Sequence, residues 1–67
     1  MSFAENLRVA REKKKISQLE LAQLVKVNQS AIARFELGQR FPNVLLGDQI
    51  AKKLDTTVDE LVNGQTE

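Results

Sequence analysis

The sequence predicts an all-α fold, a compact domain of five short helices spanning residues 1–64, with residues 65–67 as a frayed tail. Three observations carry this expectation. Apolar residues recur at helical spacing in every segment, and no stretch alternates for long as a strand would. A Ser or Thr is followed three residues later by Glu at Ser2/Glu5, Ser17/Glu20 and Thr57/Glu60. In that pattern the hydroxyl and the carboxylate satisfy two N–H groups that a helix start leaves unpaired. The breaks between the helical patterns are only two to six residues long.

The elements follow in order. Helix 1 starts at Ser2, with Phe3, Leu7, Ala10 and Lys14 keeping the i, i+4, i+7 rhythm. Its basic run Lys13-Lys14-Lys15 suits the negative end of a helix dipole. Helix 2 starts at Ser17 and turns Leu21, Ala22 and Val25 inward. After a short break at Lys26-Val27, Asn28 caps helix 3, which runs from Gln29 to about Leu37. Gly38 stops it, because glycine enters the left-handed region without a Cβ clash. Residues 39–42 form a loop, and Pro42 disfavours helix at Phe41. Asn43 caps helix 4, from about Val44 to Leu54, with Ile50, Ala51 and Leu54 facing in. Thr57 opens helix 5, which carries Val58, Leu61 and Val62 and ends at Gly64.

Composition excludes several functions. The 67 residues contain no Cys and no His, so disulfides, thiolate metal sites and the commonest general base are absent. No apolar run approaches the ~20 residues of a membrane span. The N-terminus is amphipathic and contains acids, unlike a secretory signal. There is no glycine-rich phosphate loop and no metal-ligand cluster, so an enzyme is not expected. No cofactor, metal, small-molecule ligand or membrane partner is expected, and a cytoplasmic location is. Charge is uneven. Residues 1–40 carry eight basic groups and four acids, whereas residues 41–67 carry two basic groups and five acids. A basic front part points to a polyanion, although so few charges also allow chance.

Helices 2 and 3 are separated by about three residues, so they cannot run antiparallel and must cross steeply, as in a helix-turn-helix. Ala22 is small enough for close approach at the crossing. Ile32 and Phe35 hold helix 3 by one stripe, leaving Gln29, Ser30, Ala33 and Arg34 on the opposite face. These residue types match the major groove. Gln pairs with the N6/N7 edge of adenine and Arg with O6/N7 of guanine, while Ser adapts and an Ala methyl meets a thymine methyl. Gln18 and Asn28, at helix starts, are expected at phosphates. Lys26, Gln39 and Arg40 divide between phosphate contact and solvent. Leu37 is either core cover or an apolar touch on the sugar edge.

At these residues the chain resembles the Cro/C1-type helix-turn-helix domain of the XRE family. The resemblance rests on Phe3, Leu7, Arg11, Ile16-Ser17-Gln18, Glu20-Leu21-Ala22, Val25, Val27, Ile32, Arg34, Glu36, Gly38, Arg40, Pro42, Ile50-Ala51, Leu54 and Asp59-Glu60-Leu61. It covers residues 3 to about 64 without a gap. It implies a lambda-repressor-like five-helix domain. Helix 3 would enter the major groove of double-stranded DNA, as a homodimer on a palindromic operator. It also implies Gln18 as a phosphate contact, Gln29, Ser30, Ala33 and Arg34 at recognition positions, and an internal ion pair between Arg11 and Glu36. The expected function is transcriptional regulation, chiefly repression or operon control. An antitoxin or adaptor-type protein-interaction module of the same fold is the alternative.

Two departures stand out. Lys15, Lys26 and Asp55 occupy helix ends where the family often has Gly. In helix 4, Gly47-Asp48 replace an expected Leu-Leu, while Leu45 and Leu46 fall at usually polar positions. Leu45, Leu46 and Val62 are therefore the expected contributors to a homodimer interface.

Overall fold

The computed structural model describes residues 2–64 and consists of five helices: α1 Phe3–Lys13, α2 Gln18–Val25, α3 Gln29–Glu36, α4 Val44–Lys53 and α5 Val58–Asn63. All five expected helices are present, with ends within a residue or so of those read from the sequence. Leu37 and Leu54 cap α3 and α4 rather than lying inside them. The expected fray at 65–67 lies outside the described residues.

Local chemistry sets the starts. Ser2 and Ser17 each form the full reciprocal cap with Glu5 and Glu20. Asn28 and Asn43 accept from Ala31 and Leu46 N–H at 3.0 and 2.8 Å. The third Ser/Thr-to-Glu pattern forms only by half. Thr57 accepts from Glu60 N–H at 3.1 Å, but the Glu60 carboxylate accepts from the Thr56 hydroxyl at 2.7 Å instead of reaching back to the cap backbone. The hydroxyl one residue upstream takes the partner that the box requires.

The first four helices end alike. After α1, Ile16 N–H reaches Arg11 C=O and Lys15 N–H reaches Glu12 C=O. The same two bonds recur as Val27 to Ala22 and Lys26 to Gln23, as Gln39 to Arg34 and Gly38 to Phe35, and as Thr56 to Ala51 and Asp55 to Lys52. This closure needs one residue in the left-handed region, which satisfies the last free carbonyls. That residue is Lys15, Lys26, Gly38 and Asp55 in turn, with φ of 59°, 62°, 75° and 57°. Gly38 takes it without a Cβ penalty and Asp55 tolerates it well, whereas Lys15 and Lys26 each cost about 1 kcal/mol. The departures from glycine at 15, 26 and 55 are thus accommodated within one turn geometry that recurs four times in the chain.

The core forms where α1, α2, α3, α4 and α5 converge. Leu7, Leu21, Ile32, Phe35, Ile50 and Leu61 are its fully buried large side chains. Ala10, Ala22 and Ala51 are buried among them and let the helices approach closely. α3 is held on one side by α2 and on another by α1, while α5 packs on α1 and α4. Asn6 is buried and polar. It donates to the Leu61 carbonyl at 2.8 Å, tying α1 to α5.

Candidate nucleic-acid interface

α2 and α3 meet at the Lys26-Val27 corner, where the left-handed Lys26 turns the chain within three residues. Val27 is half-buried and packs on the core, closing the inside of the corner. Ile32 and Phe35 are buried, with relative exposure of 0% and 2%. All of the large apolar area of α3 itself is therefore used to dock it. The remaining face carries Gln29, Ser30 and Arg34, all exposed, and Ala33, half-buried beside them. A face of amide, hydroxyl and guanidinium on a rigidly docked helix can present directional donors and acceptors without paying to order the helix itself.

The helix is anchored at its far end by a compact polar cluster. Arg11 donates through Nε to Glu36 at 2.6 Å and through Nη2 at 3.1 Å, and its Nη1 donates to the Ile16 carbonyl at 2.8 Å. The Glu36 side chain is 4% exposed and that of Arg11 12%. This fork holds α1, the turn before α2 and the end of α3 in one arrangement. The hydrogen bond to Glu36 raises the Arg11 pKa above its ordinary value, against a burial effect that lowers it; the charges of Glu36 and Glu12 add to the rise.

Gln18 joins the cluster. Its Nε2 donates to Glu36 at 3.0 Å, and the residue is half-buried. Its side chain is held back towards Glu36, leaving one amide hydrogen and the carboxamide oxygen unspent by that bond. The α2 start adds backbone donors. The Ser17/Glu20 box uses the N–H groups of Ser17 and Glu20, so those of Gln18 and Leu19 are the ones a helix start leaves to an outside acceptor. Asn28 at the start of α3 is exposed. Its Oδ1 accepts from Ala31 N–H and also from the Ser30 hydroxyl, at 3.0 and 2.7 Å.

After α3, Gln39 is tied to Arg34 by its backbone hydrogen bond, and the Gln39 and Arg40 side chains are exposed. Lys26 is exposed at the corner. Gln29, Ser30, Ala33 and Arg34, with Asn28 and Lys26, thus lie along α3 and its entry turn, Gln39 and Arg40 at its exit, and Gln18 at the neighbouring helix start. Leu37 is 69% exposed and covers no core.

The three residues read as a dimer surface do not behave alike. Leu45 and Val62 are 70% and 54% exposed, whereas Leu46 is half-buried and packs against the core. Phe41 and Val44, which the sequence reading did not single out, are 70% and 86% exposed. Phe41 stacks obliquely on Phe3, with ring centroids 5.7 Å apart. Phe3, Phe41, Pro42, Val44, Val58 and Val62 line an apolar groove of about 160 Å³. The signal available in the sequence was a Phe and a Val flanking Pro42-Asn43 at positions with no inward role.

No group of three or more His, Cys, Asp or Glu residues able to hold a metal occurs among the described residues. No helix among them is long and apolar enough to cross a membrane.

The family described as Helix-turn-helix matches residues 7–61. The chain is similar to the HTH-type transcriptional activator BcrR of Enterococcus faecalis, at 35% identity over 65 residues, covering 97% of this chain and 32% of that protein. It is also similar to the uncharacterized HTH-type transcriptional regulator YqaE of Bacillus subtilis, at 33% identity over 64 residues, covering 96% of this chain and 55% of that protein. It thus spans about a third and about half of the length of these two curated relatives. Among solved structures it superposes on the P22 c2 repressor protein in complex with synthetic operator 9T, with a TM-score of 0.92 and 31% identity. That match covers 97% of this chain and 98% of the other.

Proposed function

The chain belongs to the helix-turn-helix family, and from that premise we propose that it is a sequence-specific double-stranded-DNA-binding transcriptional regulator whose α3 enters the major groove. The observation that carries this reading is the division of α3. Its large apolar side chains are buried, and its outward face offers Gln29, Ser30 and Arg34 on a helix that the Arg11–Glu36 fork holds in place. Those are groups that read base edges. Ala33, beside them, supplies a methyl contact. Gln18, Asn28, Gln39, Arg40 and Lys26 surround that face and contact phosphates, which set register without carrying sequence information. The described likeness to a repressor bound to a synthetic operator supports the same placement.

The protein acts as a cytoplasmic homodimer on a palindromic operator, with two α3 helices about one turn of DNA (~34 Å) apart. Repression by occluding a promoter is the simplest outcome. The apolar groove lined by Val44, Val58 and Val62, together with exposed Leu45 on α4, supports pairing through the α4–α5 end. The same groove also favours a second reading, a protein-interaction module of the same fold. Salt separates the two. Affinity for duplex DNA measured between 50 and 200 mM salt falls steeply if several phosphates are neutralised, and log affinity falls linearly with log salt. A duplex affinity that is weak and insensitive to salt, in a folded protein, refutes the DNA-binding reading.

A further inference from the structure

The hydrogen bonds at the start of α3 bear on which bases this face selects. The Asn28 side-chain amide has its orientation fixed by the backbone. Ala31 N–H can only donate, so the atom it meets at 3.0 Å is the carboxamide oxygen. That same oxygen lies 2.7 Å from Ser30 Oγ. A carboxamide oxygen carries no hydrogen, so the Ser30 hydroxyl is the donor in this bond and its single hydrogen is spent. What Ser30 keeps for an outside partner is its lone pairs.

Resting on the DNA-binding reading above, we infer that Ser30 meets DNA as a hydrogen-bond acceptor only. It thereby selects adenine or cytosine over guanine or thymine on one strand, at one base pair of each half-site. In the major groove adenine and cytosine present an exocyclic amino donor, whereas guanine and thymine present acceptors. An acceptor facing an acceptor gains nothing, and turning the hydroxyl round to donate would break its bond to Asn28. Asn28 is therefore a positioning residue for the readout. Its oxygen sets the polarity of Ser30, while its amide hydrogens, turned away from that oxygen, remain for a phosphate.

An acceptor-only Ser30 separates amino from keto bases, a division distinct from purine against pyrimidine or from A·T against G·C. The test is selection of bound duplexes from a random-sequence pool with the full chain and with Ser30→Ala, Asn28→Ala and Asn28→Asp, each first shown to be folded by its helical circular dichroism. The wild type is expected to enrich A or C over G or T at one pair per half-site by about three- to tenfold, the range of a single net hydrogen bond. Ser30→Ala should erase that preference and leave the rest of the site intact. Asn28→Ala should broaden the same position, because the hydroxyl is then able to donate or accept. Asn28→Asp still accepts from both Ala31 and Ser30, so it should retain the preference while lowering affinity for all sequences.

A Ser30-dependent preference for G or T overturns the inference, since the hydroxyl then donates. So does a site unchanged by Ser30→Ala, although base reading by the rest of α3 survives that result. An Asn28→Ala variant that keeps the wild-type preference removes Asn28 from the readout and with it the acceptor-only assignment. Failure of the wild type to enrich any sequence overturns the base-reading role of α3, and the inference falls with it.

Discussion

α3 and the α4–α5 end of this domain treat their large apolar residues in opposite ways. In α3, Ile32 and Phe35 are both buried and what the helix turns outward is polar, while Leu19 and Leu24 of neighbouring α2 are about half exposed. At the other end, Val44, Leu45, Val58 and Val62 remain exposed beside Phe41. The difference lies in helix register. In α3 the apolar positions are three apart and fall on one stripe. In α4 the run Val44-Leu45-Leu46 is consecutive, so only Leu46 can share the side of Ile50 and face the core. Gly47 and Asp48 then follow where larger apolar residues would continue a stripe. A helix whose apolar residues are all used in docking presents a polar surface. A helix with surplus apolar residues presents one that a partner can cover.

Glu36→Ala leaves the Arg11 guanidinium, mostly buried, without its carboxylate and frees Gln18. The expected loss is about 3 kcal/mol of folding stability, read from the midpoint of urea unfolding. A change below about 1 kcal/mol would mean that the fork does not hold α3. Gln29→Ala or Arg34→Ala should cost about 1–3 kcal/mol of affinity for the preferred duplex and relax one base position, with folding unchanged. Arg40→Ala should weaken all duplexes alike and lower the salt slope by about one. The contrast between these two outcomes, seen in parallel titrations, separates base reading from phosphate contact.

The α4 side is sharpened by a gain. A Cβ built on Gly47 would stand 3.8 Å from Pro42 Cγ, an ordinary contact. Gly47→Ala should therefore stabilise the domain by about 0.5–1 kcal/mol through helix propensity. A lower melting temperature instead would show that the α4 backbone needs the glycine. The smallest effect on folding is expected from Leu45→Lys, within about 0.5 kcal/mol because the side chain is already exposed. Its readout is mass by sedimentation, where a shift from dimer towards monomer is expected, and an unchanged mass removes Leu45 from the proposed interface.

Most of the fold was legible because its boundaries are encoded locally. Ser2, Ser17, Asn28 and Asn43 cap the helices they were read to start, and the buried positions of α2, α3 and α4 follow from spacing alone. The helix ends at Lys15, Lys26 and Asp55 were legible only as odd substitutions, since a single residue type does not reveal its φ. The half-formed cap at Thr57 was misread because a neighbouring hydroxyl competes for the same carboxylate, and hydroxyls at 56 and 57 look alike in a sequence. Asn6 gave no signal, since a polar residue near a helix start is ordinarily solvated and its partner is 55 positions away. At the candidate site, the outward face of α3 was readable from period and residue type. The bonds that hold Gln18 to Glu36 and Ser30 to Asn28 were not: the first depends on the packing of three helices around Glu36, and the second on side-chain rotamers at an exposed helix start that residue types alone do not specify.

Whether the outward face of α3 reads DNA bases is decided by selecting bound duplexes from a random-sequence pool with the unmodified protein at near-physiological salt. An enriched two-fold-symmetric site is expected, with half-site centres about one helical turn (~34 Å) apart. Recovery of an unenriched pool by a folded protein would contradict base reading by α3.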